Sequence, residues 1–245
     1  MNNLDTWAGV ALPLVVAGLL LAAIVRAPGS RHGRVTREGG TVFLPERLMH
    51  AGYAWVHGLA GGAHRLGVTA DVVSWVSLAL GLVAGGLVAA GWLGCAAWAL
   101  ALSGLGDGVD GALARQQGQS SSAGAILDSV LDRYVEFFFF AGLLMHFAGQ
   151  PWSQLAVVTA LFGGFMVTYS TAKAEALHLT PPRGWMKRPE RIVWLIAGSA
   201  FAAGARAQGL PPDRLLLGVV LVIAVFANLS ALRRLRALSL AAGRD

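Results

Sequence analysis

The chain has 245 residues, of which 56% are hydrophobic and only 13% charged, with a net charge of +6 and a mean hydropathy of +0.61. Soluble domains carry about a quarter charged residues, so this composition marks a membrane protein and excludes a disordered chain, a disulfide scaffold and a fibrous repeat. In that setting an excess of Lys and Arg is topological rather than a nucleic-acid footprint, and the single cysteine, Cys95, forms no intrachain disulfide.

Crossing a bilayer takes about 20 helical residues, and seven apolar stretches are long enough: 7–26, 69–91, 93–117, 122–147, 152–177, 190–208 and 213–233. The first reads as a signal anchor with its amino terminus outside; a cleavable signal peptide is the alternative, although Asp5 stands where such a signal carries positive charge. Arg26, Arg31, Arg34 and Arg37 follow in a Gly/Ser-rich linker. Residues 45–66 form an amphipathic helix suited to the headgroup plane, with Leu48, Gly52, Trp55, Val56 and Leu59 on one stripe and Glu46, Arg47, His50, His57 and His64 off it. The three histidines stand a heptad apart, too far from one another to share an ion. With the amino terminus outside, only Arg206 and Arg214 of 19 Lys and Arg residues lie at the outer side, and the clusters Arg26–Arg37, Arg183–Arg191 and Arg233–Arg236 lie inside.

Carboxylates are costly inside a membrane, about 3 kcal/mol each at a helix centre on insertion scales. Yet four of the 13 acidic residues fall within 107–132. Asp107, Asp110, Gly111, Ala114 and Arg115 share one helical stripe, and Gly124, Asp128 and Asp132 share another. The polar run Gln116–Ala123 turns the chain between them, so the two stripes are predicted to face each other across one pocket. Four carboxylates together repel unless cations intervene. All-oxygen ligation selects Mg²⁺ or Mn²⁺ over zinc, and two such ions suit phosphoryl transfer. Gly104, Gly106, Gly108, Gly111, Ala114 and Gly124 leave room for a bulky ligand against bare backbone, and Arg115 is placed to meet a phosphate. An ion-coupled transporter using the Asp cluster as its cation site is the competing class.

Read as a pattern, residues 107–132 are D-x-x-D-G-x-x-A-R-x8-G-x3-D-x3-D, with no fixed position missing. This resembles the signature of the CDP-alcohol phosphotransferase family. The resemblance implies an all-α integral membrane protein, a six-helix transmembrane bundle preceded by an interfacial helix, over residues 45–236. Residues 1–44 are then an additional anchor and linker, and 237–245 a cytoplasmic tail. It also implies a two-metal transferase, in which Asp107, Asp110 and Asp128 bind Mg²⁺ or Mn²⁺ and Asp132 is both a ligand and the base for the acceptor hydroxyl. Gly111, Ala114 and Gly124 would let the cytidine nucleotide pack closely, with Arg115 near its diphosphate. The donor would be CDP-diacylglycerol or a similar CDP-linked lipid, CMP the leaving group, and the active site would open to the cytoplasmic side of the cell membrane.

Family members often show T-P-N-x-x-T before the first of the six spans. Here the segment reads Thr69-Ala70-Asp71-Val72-Val73-Ser74, which keeps polar nucleotide contacts at Asp71 and Ser74, unless these residues cap the helix start. Tyr169–Glu175 (YSTAKAE) and Arg188–Arg191 (RPER) look like the acceptor segments of inositol-phosphate-using members. Lys173, Arg188 and Arg191 are therefore the candidate acceptor cations, with inositol phosphate or glycerol phosphate as acceptor. Thr171 stands where Lys is usual and Lys173 where Arg is usual, and Lys lacks Arg's bidentate fork. A CDP-amino-alcohol transferase of the same family is the alternative, and these cations are equally suited to anchoring a loop on anionic lipid. The run Phe137–Phe140 covers every side of its helix, and family analogy adds a homodimer.

Overall fold

The computed structural model describes residues 3–26, 46–118, 121–180 and 184–243. Arg31, Arg34, Arg37 and Arg183 of the basic clusters lie outside them, as does the boundary at residue 44.

Every regular element among these residues is helical: α1 (Asn3–Arg26), α2 (Glu46–Arg65), α3 (Ala70–Ala89), α4 (Leu93–Gln116), α5 (Ser122–His146), α6 (Pro151–Ala176), α7 (Arg188–Ala205), a short 3₁₀ turn (Arg206–Gln208) and α8 (Pro212–Ala242). Each of the seven apolar stretches is a helix. Four of them, α1, α3, α6 and α8, are long and apolar enough to cross a membrane by length and composition. The other three carry the charges described below. This is a membrane-integral protein. Local chemistry sets the ends: Thr69 accepts from the Val72 amide to cap α3, and Ser121 accepts from Gly124 to cap α5. Pro151, Pro189 and Pro212 sit in the first turns of α6, α7 and α8, where a missing N–H costs nothing. Nothing breaks α8 at residue 233. Its arginines mark the end of the apolar stretch, but helix formers continue to Ala242 and Leu238 is buried, so most of the expected tail is helix.

The bundle is not built on contact between α4 and α5. Both pack extensively on α3 and touch each other only sparingly, so the two acidic stripes face each other across a pocket, as their spacing predicts, rather than through direct helix contact. Glycine makes this possible. A Cβ at Gly85 would collide with the Phe138 carbonyl, one at Gly142 with the Gly85 carbonyl, and one at Gly106 with the Ser77 hydroxyl. Ser103 donates to the Ser77 carbonyl at 2.7 Å across the α3–α4 seam. With α3 wedged between them, α4 and α5 are held apart where their carboxylates lie, and a cleft opens. A core of Phe139, Phe140, Leu143, Phe147, Leu195 and Leu216, all fully buried, fills the bundle behind it. Phe137, by contrast, is 46% exposed, so the phenylalanine run is divided between core and surface.

Helix α2 packs Val56 and Ala60 on Val109, Ala112 and Leu113 of α4. Helix α1 is part of the bundle rather than a free anchor. Its Asp5 is 2% exposed, pairs with Arg206 at 2.9 Å and accepts from the Cys95 amide at 3.0 Å.

Candidate active site

The acidic cluster forms where the α3 N-terminal half meets the C-terminal half of α4 and the N-terminal half of α5. Asp107 and Asp110 come from one face of α4 and Asp128 from α5, with ligand oxygens all within 4.8 Å of one another. No second cluster of this kind occurs among the described residues, and the three histidines of α2 do not form one. Ser74 of α3 donates to Asp110 Oδ2 at 2.5 Å and orients that carboxylate. Asp132 completes the cluster through Arg188, whose guanidinium reaches Asp107 Oδ2 at 2.9 Å and Asp132 Oδ1 at 2.6 Å. These residues enclose a cavity of about 10 Å³, near the size needed for one water molecule. Three converging carboxylates with serine hydroxyls beside them, around a space of ionic size, supply the oxygen donors that fit a hard divalent cation, and Arg188 lies at the same cavity.

The glycines divide into two kinds. A Cβ on Gly108 would stand 3.2 Å from Val56, and one on Gly106 would strike Ser77, so these two admit neighbouring helices. That corrects the reading of all of them as ligand space. A Cβ on Gly111 would meet only the Arg115 guanidinium, at 3.5 Å, and one on Gly124 only its own cap Ser121, at 3.3 Å. Among the described residues no neighbouring helix presses on either glycine, and Arg115 reaches back over Gly111. Ala114 lies half-buried between them in sequence, on the same α4 stripe. Asp71 is exposed in the first turn of α3. The cap there is Thr69, so neither Asp71 nor Ser74 has that role.

The acceptor segments are placed less uniformly. Lys173 is exposed near the end of α6. Arg188 lies on the carboxylates rather than apart from them. Arg191 is fully buried: Nε and Nη2 donate to the two oxygens of Glu136 at 2.5 and 2.9 Å, and Nη1 to the Met186 carbonyl at 2.6 Å. It therefore holds the 184–191 segment against α5 instead of presenting a cation to a pocket. Gly164 leaves the space for this pair, since a Cβ there would stand 2.9 Å from Arg191 Nε. Arg234 donates to the Thr171 hydroxyl at 2.9 Å and the Val167 carbonyl at 3.2 Å. Thr171 thus belongs to a polar contact between α6 and α8.

Two residues here escaped the sequence reading. Glu136 extends the i, i+4 series of Gly124, Asp128 and Asp132 by one more turn, and that signal was present. Arg234 was counted only as part of a basic cluster, and nothing local singles it out from Arg233, which stacks on Trp185 at 4.6 Å.

The sequence profile of the CDP-alcohol phosphatidyltransferase family matches residues 67–236. The phosphatidylinositol phosphate synthase of Cutibacterium acnes is 33% identical over 168 residues, covering 66% of this chain and 80% of that protein. An archaetidylinositol phosphate synthase from Methanothermobacter thermautotrophicus is 35% identical over 137 residues, 56% of this chain and 69% of that one. Among solved structures, the Mycobacterium tuberculosis phosphatidylinositol phosphate synthase with CDP-DAG bound superposes with a TM-score of 0.65 at 28% identity, over 74% of this chain and 92% of that one. The same enzyme in complex with manganese and citrate gives a TM-score of 0.66 at 28% identity, over 74% and 87% of the two chains. With an intact D-x-x-D-G-x-x-A-R-x8-G-x3-D-x3-D signature folded around one acidic cleft, this chain is an enzyme of the CDP-alcohol phosphatidyltransferase family.

Proposed function

We propose that this protein transfers a phosphatidyl group from CDP-diacylglycerol to a hydroxyl of a phosphorylated polyol, inositol phosphate first, and releases CMP. The observation that carries the reading is the convergence of Asp107, Asp110 and Asp128 oxygens within 4.8 Å, beside two glycines on which no helix packs among the described residues. A cation site for transport has no use for those glycines or for Arg115, whereas a nucleotide diphosphate uses both. The relatives supply the substrates: they are named for phosphatidylinositol phosphate and archaetidylinositol phosphate synthesis, and one was solved with CDP-DAG.

In this reading Asp107, Asp110, Asp128 and Asp132 hold two divalent cations, Mg²⁺ or Mn²⁺, which when bound neutralise phosphate charge and lower the pKa of a coordinated hydroxyl. Ser74 fixes the Asp110 carboxylate. Gly111, Ala114 and Gly124 seat the nucleotide against backbone, Asp71 lies at its edge, and Arg115 meets the diphosphate. The acceptor oxygen attacks the phosphorus that carries diacylglycerol, the bond from that phosphorus to the bridging oxygen breaks, and the oxygen leaves with CMP. Asp132 takes the hydroxyl proton, its Oδ1 held by Arg188. Lys173 and Arg188 are the cations for the acceptor's phosphate, and Arg191 positions Arg188 by anchoring the turn before α7.

The positive-inside distribution supports a cytoplasmic active site in the cell membrane with the amino terminus outside. A homodimer belongs to the same proposal by family analogy and is read from the mass of the detergent-solubilised protein. The test of function is CMP release by purified protein given Mg²⁺ or Mn²⁺, CDP-diacylglycerol and a panel of inositol 1-phosphate, glycerol 3-phosphate, inositol and amino alcohols. Release with inositol phosphate alone supports the reading. Release with only a neutral or cationic alcohol overturns the acceptor, and no release with any overturns the donor.

A further inference from the structure

Helix α1 lies outside residues 67–236, the part of the chain that the family profile matches. It is nonetheless fixed in place. Asp5 pairs with Arg206 and accepts from Cys95, Trp98 Nε1 donates to the Ala8 carbonyl at 2.9 Å, and Trp55 Nε1 donates to the Leu19 carbonyl at 3.0 Å. At its start α1 touches α4 backbone to backbone, for a Cβ on Gly94 would collide with the Asp5 carbonyl. Farther along, a cavity of about 500 Å³ separates α1 from α4 and α7, within the roughly 300–1,000 Å³ range of small-molecule sites. Its α1 wall is Leu12, Pro13, Val16, Ala17 and Leu20, a stretch of ~12 Å along the helix. Opposite stand Gly104, Ile192 and Ile196 among other apolar residues. The polar residues among its lining are Asp107 and Arg188. The groove therefore runs from apolar walls directly onto the acidic cluster.

We infer that this groove takes an acyl chain of the CDP-linked lipid donor, and that α1 is a wall that selects donors by the length or shape of that chain. The inference rests on the donor reading above and adds a role for the extra helix. A lipid whose diphosphate is held at Asp107 must send its chains away from that point, and the groove offers an apolar path that begins there. Four polar contacts, at Asp5, Ala8 and Leu19, hold α1 at a fixed distance, so the width of the groove is built in, and a preformed wall discriminates between chains where a mobile one adapts.

The test uses full-length protein in phosphatidylcholine bilayers. A CDP-diacylglycerol carrying a mid-chain diazirine is expected to label the peptide containing residues 12–20, with excess CDP-diacylglycerol preventing the labelling. A diazirine phosphatidylcholine is expected not to label it above the level of other bilayer-facing segments. Ala17→Trp, which fills the groove from α1, should lower kcat/KM for a dipalmitoyl donor at least 10-fold more than for a dioctanoyl donor. Ala197→Trp should do the same from α7. Leu14→Trp, at a position 68% exposed, should leave the ratio at its wild-type value. Equal losses on both donors in Ala17→Trp and Ala197→Trp, or labelling by phosphatidylcholine as strong as by the CDP-lipid, would overturn the inference. If wild-type protein released no CMP from either donor, the functional reading would fall on that result, and the labelling would still decide whether a CDP-lipid occupies the groove.

Discussion

Two arginines of α7, three residues apart, bridge to two carboxylates of α5, four residues apart, and the two rungs of this ladder have different fates. Arg188 meets Asp132 at 2.6 Å with the arginine side chain 15% exposed, and it shares its guanidinium with Asp107. Arg191 meets Glu136 at 2.5 Å with both side chains sealed. The backbones of α5 and α7 hardly approach each other, so long side chains close the gap. Both rungs have the same charges, but Arg191 grips one carboxylate with two nitrogens, whereas Arg188 gives one nitrogen to each of two carboxylates. Burial also separates them: the sealed pair cannot exchange partners without leaving a charge unsolvated, whereas the rung at the cleft is partly open to solvent. An ion pair beneath an active site holds the shape of the site, and one at its edge is available to the chemistry.

Asp132→Asn has the largest expected effect. It keeps the volume and removes the proton acceptor, so CMP release should fall by about 10²- to 10⁴-fold while donor binding persists. Undiminished turnover would remove Asp132 from the role of base. Next is the sealed rung. Arg191→Ala strands a buried Glu136 and should cost roughly 3–5 kcal/mol of stability, read as a lowered unfolding midpoint in detergent. Combining Arg191→Met with Glu136→Leu should recover most of that loss, because no buried charge is then left alone. A raised acceptor KM in Arg191→Ala at unchanged stability would instead place Arg191 in the acceptor pocket and erase the distinction between the rungs. The glycines give the sharpest contrast. Gly111→Leu or Gly124→Leu should raise the donor KM with the unfolding midpoint little changed. Gly106→Leu should do the reverse by forcing α4 off Ser77. Normal donor affinity in both of the first two variants would make those glycines packing positions as well.

The same contrast explains what the sequence disclosed. Periodicity places side chains on one face of one helix, so Asp107 with Asp110, and Asp128 with Asp132, were legible from spacing alone. What a face meets is set by its neighbours. The presence of α3 between α4 and α5 depends on Gly81, Gly85, Gly106 and Gly142, and a glycine in an apolar run carries no mark of what fills its space. Ser74 was readable as a polar residue near the site, but its partner Asp110 is 36 positions away. Asp5 read as a signal of topology, because Arg206, 201 residues later, is brought to it only by the fold. Arg188 and Arg191 were both readable as cations. Their division between cleft and core is decided by Glu136, and the depth of that residue appears in no local pattern.

The central claim, that the carboxylates of α4 and α5 hold the metals of a phosphatidyl transfer, is tested most directly by metal dependence. Protein stripped with a chelator is titrated with Mn²⁺ while bound ion is counted by electron paramagnetic resonance and CMP release from CDP-diacylglycerol is followed, for wild type and Asp128→Asn. The account predicts no release without metal, recovery as two ions per chain bind to wild type, and weakened Mn²⁺ binding with no turnover in the variant. Release in the presence of chelator, or full Mn²⁺ binding and activity in Asp128→Asn, would contradict it.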